Sequence, residues 1–210
     1  MSGDAITERL PMFPLGSVVV PGQVLPLQVF EPRYDRLVRD VLAGTRRFGT
    51  VLIERGSEVG GGDARRSVGT VISVVDADPA GPGRWHLVGV GAGRLRVVQW
   101  LDDDPYPNAV VAPFEVSEPD ERTEQLVAEA EARIRSWLRR AHDLGLPVAS
   151  PDLELPDDPV RVIEVLLLVS PLGPLDAQRV IERSDPTSRA EALVEGMEGQ
   201  IDLLEARFGG

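Results

Sequence analysis

Residues 11–34, PMFPLGSVVVPGQVLPLQVFEPRY, decide how the first half of this 210-residue chain folds. Five prolines interrupt two stretches of apolar residues, of which the alternating Leu25, Leu27 and Val29 are the clearest part. Because proline has no N–H to donate to a neighbouring strand, these stretches predict strands at a sheet edge or with interrupted pairing. The segment then passes at Glu31-Pro32 into a helix. We therefore expect an unpaired strand edge that can accept a guest strand.

Beyond this segment, short apolar runs continue to residue 116 and predict about six or seven strands in all. Some runs alternate with other residues, as half-buried strands do, and others are apolar throughout, as strands covered on both faces are. One helix interrupts them at Arg33–Leu42, where apolar residues recur every three or four positions, and the glycines at 60–62 predict a turn. Together with the run 25–29 inside residues 11–34, the runs are 49–53, 68–75, 85–90, 94–97 and 109–116.

After Glu118 the spacing of apolar residues changes to that of a helix, and a long helix is predicted over Asp120–Asp143. Further helices follow behind a linker at residues 147–158, each with proline at its first position and two of them behind an aspartate cap. We predict two domains, a β domain over residues 1–118 and an α-helical bundle over 119–210. The further helices are Val160–Val169, Leu175–Glu182 and a last one from Asp185-Pro186 to about Arg207.

The composition excludes several kinds of active site. All 22 basic side chains are arginine, so no Ser-Lys dyad, Schiff-base lysine or lysine-bearing phosphate loop can form. The chain has no cysteine, which excludes disulfides, thiolate metal sites and cysteine nucleophiles. His86 and His142 show no spacing typical of a triad or a shared metal. We predict no catalytic residue, no metal and no cofactor, and an enzyme that acts through carboxylates near His86 stays as an alternative.

Charge and hydropathy indicate partners and location. The net charge of −12 at pH 7 falls mostly after residue 118 and disfavours binding to a polyanion such as nucleic acid. No apolar run is long enough to span a membrane, and the first ten residues contain no apolar leader. We expect a cytoplasmic protein with no membrane contact.

Residues 88–96, VGVGAGRLR, look like a dinucleotide-binding loop but fail its requirements. The place of the last glycine is held by Arg94 or Arg96, and the residues that follow alternate like a strand instead of opening a helix. Close strand packing or a bulge explains these glycines better.

Aromatic side chains are candidate contacts for an extended polypeptide that adds to the open edge. Each of them is also explained by burial in the core. Glu31 and Arg33 flank the start of the first helix, where a structural ion pair or cap is favoured over ligand contacts. The candidate peptide-binding residues are Phe13, Phe30, Tyr34, Trp85 and Trp100.

Residues 13–34 closely resemble the opening of the amino-terminal substrate-binding domain of the Lon protease family. The resemblance covers roughly residues 10–204. In the second half, Gln178, Glu182, Asp185 and Arg189 stand where family members have a Gln, a Glu and then a spaced Asp and Arg. The other similar segments are Phe48–Val51, Val68–Thr70, Val88–Val97 and Asp104–Tyr106.

The resemblance implies an α+β fold, a PUA-like β pseudobarrel with one inserted helix followed by an α-helical bundle. It also implies a bacterial, stand-alone and non-enzymatic form of the domain that binds unfolded or extended polypeptide. An adaptor or regulator role in protein quality control, beside a separate protease or chaperone, and a homo-oligomeric state stay open. Two features depart from the family: Ala177 stands where Lys is frequent, and the loop Gly60–Arg66 is specific to this chain.

A small RNA-binding protein is the alternative function, because PUA-like barrels elsewhere bind RNA. It requires a basic face, for which the fold would have to gather several arginines. They are Arg46, Arg47, Arg65, Arg66, Arg94 and Arg96.

Overall fold

The computed structural model describes residues 7–55, with Arg55 by its backbone alone, 64–114 and 117–209. The turn predicted at Gly60–Gly62 and the end of the strand predicted to reach Val116 lie outside these ranges. The chain separates into two compact units, Met1–Glu115 and Val116–Gly210. The domain boundary predicted after residue 118 stays a prediction. Among the described helices, none is both long and apolar enough to cross a membrane.

The described elements of the first unit are β1 (Glu8–Pro11), β2 (Val24–Val29), α1 (Pro32–Ala43), β3 (Arg47–Arg55), β4 (Ala64–Pro79), β5 (Trp85–Trp100) and β6 (Asn108–Pro113). The antiparallel sheet has the order β1-β6-β5-β4-β3, and β2 pairs with β5 outside this order. After β1 the chain bridges to β3 in parallel, at Met12 with Gly49 and at Leu15 with Leu52. These bridges close the sheet into a pseudobarrel.

Strand β5 is long because its two halves have different neighbours. Its first half pairs with β2 and its second half with β6, while β4 accompanies both halves. The register between β4 and β5 shifts twice, and such bulges bend a long strand. A Cβ at Gly91 would lie 2.3 Å from the carbonyl oxygen of Val20, and a Cβ at Gly89 would lie 2.3 Å from Ile72 Cγ2. Close packing is thereby confirmed at Gly89 and Gly91, whereas a Cβ at Gly93 would meet no atom within 4 Å.

The core of the first unit has two parts. The helix-side core lies where α1 packs its buried Tyr34, Leu37, Val38 and Val41 against the inner sides of β2, β4 and β5. The barrel core is formed by residues of β1, β3, β4, β5 and β6, around Leu95. Burial of each such side chain contributes about 1.5–3 kcal/mol. The helix predicted at Arg33–Leu42 is confirmed and is one residue longer at each end.

The second unit contains α2 (Glu121–Asp143), α3 (Pro159–Val169), α4 (Pro174–Glu182), α5 (Pro186–Gly196) and α6 (Gln200–Phe208). The starts after Asp158 and Asp185 are confirmed, since each carboxylate accepts a hydrogen bond from a backbone N–H of the first turn. The single last helix predicted to reach about Arg207 is wrong. Gly199, with φ +69°, separates α5 from α6, because glycine adopts this left-handed conformation at little cost.

The segment predicted as a linker, residues 147–158, is held against α2 by one side chain. The guanidinium of Arg135 donates to the backbone carbonyls of Pro151 and Leu153, the latter at 3.0 Å. Its Nε also bonds Glu131 one turn earlier, at 2.7 Å. Two hydrogen bonds to the segment, from a guanidinium that Glu131 holds in place, order this segment more than its Pro- and Asp-rich sequence indicates.

Replacing Asp185 by alanine is expected to lower the free energy of unfolding of the second unit by about 1 kcal/mol. The carboxylate accepts hydrogen bonds from Ser188 Oγ at 2.6 Å and from the Ser188 N–H at 2.8 Å. These bonds, the hydroxyl first, lower the pKa of Asp185 below its ordinary value of 3.8. Because folding lowers this pKa, the stabilisation is present above the unfolded value and is lost as the pH falls through the folded value.

Urea titrations at neutral pH and well below pH 3.8 give the free energy of unfolding of wild type and of Asp185→Ala. The difference between the two proteins should shrink at acid pH. Asp185→Asn keeps a capping oxygen, so at neutral pH it should lose less of the free energy of unfolding than Asp185→Ala loses. A difference that is the same at both pH values would contradict the carboxylate's role.

Candidate functional site

Among the strands that the structure describes, β2 has one edge bonded to β5 and one edge open. In the described part of the chain it pairs with β5 alone, without a register shift. The Gly91 N–H donates to the carbonyl of Gln23 at 2.9 Å. This bond shows that the odd-numbered residues of β2 are the ones whose backbone groups face β5. Because bonded residues alternate along an antiparallel pair, the backbone groups of Val24, Pro26 and Gln28 point away from β5. Pro26 therefore stands where its missing N–H faces the open side, as is usual for proline in an edge strand.

A groove of about 200 Å³ lies beside this edge, lined by the segment 13–15, by β2 and by the start of α1. Phe13 and Tyr34 stack in its wall with ring centroids 4.0 Å apart, and both are buried. Phe30 leaves 57% of its surface exposed. The structure thus brings three of the five predicted aromatic contacts to one groove, and Phe30 is the accessible one. The roles of Phe13 and Tyr34 as peptide contacts stay predictions.

Glu31 and Arg33 are paired at the end of this groove. Arg33 Nε donates to Glu31 Oε2 at 3.0 Å, and the guanidinium lies over the Tyr34 ring, 4.4 Å from its centroid. Glu31 is the N-cap residue of α1, but its side chain makes no capping hydrogen bond. The two charges neutralise each other, so this pair adds no net charge beside the groove.

The two predicted tryptophans lie outside the groove lining. Trp85 Nε1 donates to Asp35 Oδ1 at 2.7 Å, and this hydrogen bond, with a further one from Arg39, lowers the pKa of the Asp35 carboxyl. Trp85 thereby fastens α1 to β5. Trp100 packs against the barrel core, and the guanidinium of Arg65 covers its ring at 4.8 Å from the centroid. Both indoles serve the fold, and their roles as peptide contacts stay predictions.

The outer side of β2, β5 and β4 presents apolar side chains that our sequence reasoning did not select. Val24 and Pro26 lie opposite Val90 and Val88 in the β2–β5 register, and Val75 is exposed in a bulge of β4 beside Val88. The alternation along each strand does indicate that these positions face outward, but only the register shows that they adjoin. We call the surface formed by these five residues the outer face.

The arginines that RNA binding requires are engaged within the first unit. Four of them contact oxygen atoms of the protein, and two stack on one aromatic ring, so the fold does not gather them into an uncommitted basic face. This arrangement gives the RNA alternative no support. The contacts are Arg46 with the Val74 carbonyl, Arg47 with Glu8, Arg65 with Asp103, Arg66 with Glu54, and Arg94 and Arg96 with Phe114.

The fold and the groove together define an α+β protein whose pseudobarrel leaves a strand edge open beside an apolar groove. The chain belongs to the family of the ATP-dependent protease La (LON) substrate-binding domain, whose family model matches residues 9–199. This match confirms the resemblance seen in the sequence. The matched family describes the substrate-binding domain and not the protease domain.

Relatives and solved structures agree with this assignment. The chain is 29% identical to the Lon protease of Escherichia coli strain K12 over 201 residues, which covers 94% of this chain and 25% of that protein. It is 28% identical to Lon protease 2 of Myxococcus xanthus over 205 residues, or 95% of this chain and 24% of that protein. The chain thus spans about a quarter of the length of the curated relatives it matches.

The crystal structure of a Lon N-terminal domain protein from Xanthomonas campestris aligns with a TM-score of 0.62 and 27% identity, over 90% of this chain and 98% of that one. The N-terminal domain of Lon protease from the Mycobacterium avium complex aligns with a TM-score of 0.69 and the same coverage. At 17% identity the latter supports the fold alone. The predicted α+β fold class is confirmed.

Larger clefts exist in the second unit, of about 410 and 500 Å³. Both are partly lined by α6, a short helix in which Leu204 is the buried residue. The family match ends at residue 199, before α6 begins. We therefore place the candidate site at the β2 groove, which lies inside the matched region.

Proposed function

We propose that this chain is a non-enzymatic module that binds unfolded or extended polypeptide in the groove beside β2. Its membership of the Lon substrate-binding family supports the proposal. The observation that carries it is the open edge of β2 next to an apolar groove. In this proposal the chain acts in the cytoplasm as an adaptor or regulator in protein quality control, together with a separate protease or chaperone.

The open edge offers main-chain hydrogen bonds to a guest strand. The carbonyls of Val24, Pro26 and Gln28 and the N–H groups of Val24 and Gln28 face away from β5. Main-chain bonds give strand addition its affinity without requiring a particular sequence, as suits a binder of many unfolded chains. Pro26 lacks the central donor, which limits uncontrolled pairing with other edges.

The groove offers apolar contacts for alternate side chains of the guest. Leu27 is partly buried in the lining, and Phe30, which also lines the groove, is more than half exposed. A guest side chain that covers Phe30 removes apolar surface from water on both partners. Since Phe30 is not needed to fill the core, it can be changed without loss of the fold.

Phe30→Ala is expected to weaken binding of a permanently unfolded model protein, such as a reduced and alkylated globular protein, by roughly tenfold. Phe208→Ala is the matched control, because Phe208 is also an exposed phenylalanine, at 44%, but lies in the second unit. Fluorescence anisotropy of the labelled unfolded protein gives both dissociation constants. Equal affinities of the two variants would contradict a role for this groove, and absence of saturable binding to wild type at micromolar concentration would remove the proposal.

Gln28→Pro tests the main-chain part of the same proposal. It removes an N–H from the open side of β2, while the bonds to β5 from the flanking residues persist. Strand addition therefore predicts weaker binding although circular dichroism shows an unchanged fold. Wild-type affinity in this variant would mean that only side chains bind the guest.

A further inference from the structure

Helix α6 buries little of itself in the second unit. Of its nine residues, all of which the structure describes, only Leu204 is buried, and the neighbouring Leu203 is 63% exposed. Its N-cap residue is Gly199, which has no side chain to cap the helix. A helix of this length is marginal by itself in water. The stability of α6 therefore depends on its contact with the rest of the unit.

Helix α6 lies along α2 between the two clefts of the second unit. Ala132 and Ser136 of α2 line the cleft of about 410 Å³ together with Ile201. Trp137 lines the cleft of about 500 Å³ together with Leu204. Because different residues of α6 line the two clefts, the clefts flank the helix. Open space beside both flanks forfeits packing contacts that would otherwise hold α6 in place.

One exposed ion pair adds to the attachment of α6. Arg140 Nε on α2 lies 2.9 Å from Glu205 Oε1, and the two side chains are 41% and 48% exposed. Water and salt screen such a pair, so it contributes little to the stability of the contact. The burial of Leu204 therefore contributes more than this ion pair to holding α6 on α2.

The packed arrangement also leaves a buried donor unsatisfied. Trp137 is 9% exposed, and its indole N–H has no hydrogen-bond partner in the described part of the chain. A buried N–H without a partner costs free energy, which is regained when water reaches it. Because Trp137 and Leu204 line the same cleft, departure of α6 brings water to the indole. Hydration of this N–H then offsets part of the lost burial.

Gly199 is the point about which α6 can move. Its φ is +69°, and a Cβ at this position would meet no described atom within 4 Å. Glycine changes its backbone angles at little steric cost. A rotation there need not displace Met197, which is buried directly after α5.

We infer that α6 is a displaceable latch: it undocks from α2 about Gly199 while α2–α5 stay folded, and its departure exposes Trp137. Segments that bury few apolar groups open locally at a lower free energy than the core of a domain. The second unit then has a closed state, in which α6 covers the indole, and a less populated open state that presents the indole to solvent. The latch does not depend on the binding proposed for the β2 groove.

Native-state hydrogen exchange, followed by two-dimensional NMR on the full chain, tests the latch. The backbone amides of α6 should be protected, but less than the central amides of α2. Their exchange should respond little to low urea concentrations, because the opening exposes little surface. The indole N–H of Trp137 belongs to α2, yet its protection and urea dependence should follow α6. The indole signals of Trp85 and Trp100 are internal references, since both residues lie in the first unit.

Matched leucine variants assign the closed state to the buried contact. Leu204→Ala should speed exchange of the α6 amides and of the Trp137 indole N–H roughly tenfold, and leave the central amides of α2 unchanged. Leu203→Ala makes the same change at the exposed neighbour in the same helix, so exchange should stay within about twofold of wild type. Circular dichroism checks that both variants keep the helices of the unit.

Several results would overturn the latch. If α6 exchanges with the central amides of α2 and with the same urea dependence, it opens only when the whole unit unfolds. Unprotected amides in α6 would mean that this helix is not docked in solution. An indole N–H of Trp137 that follows the amides of α2 would mean that α6 does not cover it. Equal effects of the two leucine variants would show that burial of Leu204 does not hold the helix.

Discussion

Replacing Glu164 by glutamine is expected to lower the free energy of unfolding of the second unit by about 3 kcal/mol. Its partner Arg189 is completely buried, and Arg189 Nη1 lies 3.8 Å from Glu164 Oε1. The guanidinium nitrogens have no hydrogen-bond partner among the described residues. Burial lowers the pKa of Arg189, and the charge of Glu164 opposes this change. Without Glu164 the protein must hold an uncompensated cation in its interior.

The comparison with an exposed pair tests this reasoning. Glu191→Gln breaks an exposed ion pair, in which the side chain of Glu191 is 47% exposed and that of Arg122 is 66% exposed. This substitution should lower the free energy of unfolding by less than about 1 kcal/mol. Urea titration followed by far-ultraviolet circular dichroism, with amide hydrogen exchange in α3 and α5, gives both values. A loss for Glu164→Gln no larger than that for Glu191→Gln would show that the buried charge is not the cause.

A double variant separates the charge from the packing. Arg189→Met removes the cation and places an unbranched apolar side chain at this buried position. Added to Glu164→Gln, it should recover much of the lost stability, because a buried ion pair is commonly replaceable by apolar side chains at little cost. No recovery would indicate that the guanidinium packs in a way that methionine cannot reproduce.

Helix starts are predictable from this sequence because their causes are local. Pro32, Pro159, Pro174 and Pro186 each stand at the beginning of a helix, where the fixed φ of proline fits and its missing N–H is not needed. The break before α6 escaped prediction because Gly199 lies in a stretch that otherwise keeps a helical pattern. Its left-handed conformation lies between the end of α5 at Gly196 and the start of α6 at Gln200, and only the folded backbone shows that it adopts this conformation.

The candidate site is predictable in part. The prolines of residues 11–34 indicate an edge strand, and that indication depends on local chemistry alone. The stacking of Phe13 on Tyr34 depends on how α1 returns over the sheet, which no local pattern specifies. The neighbourhood of Val88 and Asp76 likewise depends on strand register across a hairpin with two bulges. That the residues of the outer face adjoin therefore became apparent only from the structure.

Replacing Gly91 by alanine is expected to lower the free energy of unfolding of the first unit by about 2–3 kcal/mol. A Cβ there would lie 2.3 Å from the carbonyl oxygen of Val20 and 3.1 Å from Cα of Pro21. Backbone atoms cannot rotate away as the end of a side chain can, so this turn must move. The turn is bonded to β5 on both sides, since Gly22 N–H donates to the Gly91 carbonyl and Gly91 N–H to the Gln23 carbonyl. The displacement therefore reaches the start of β2.

Gly93→Ala is the matched control, because a Cβ at Gly93 meets no atom within 4 Å. It should change stability by only about 0.5 kcal/mol, in the stabilising direction, since alanine restricts the unfolded chain. Urea titration measures both variants, and titration with the unfolded model protein should show weaker binding for Gly91→Ala alone. Both substitutions remove the same backbone freedom from the unfolded chain, so a difference between them isolates the close approach to Val20. Equal effects would mean that this contact does not explain glycine at position 91.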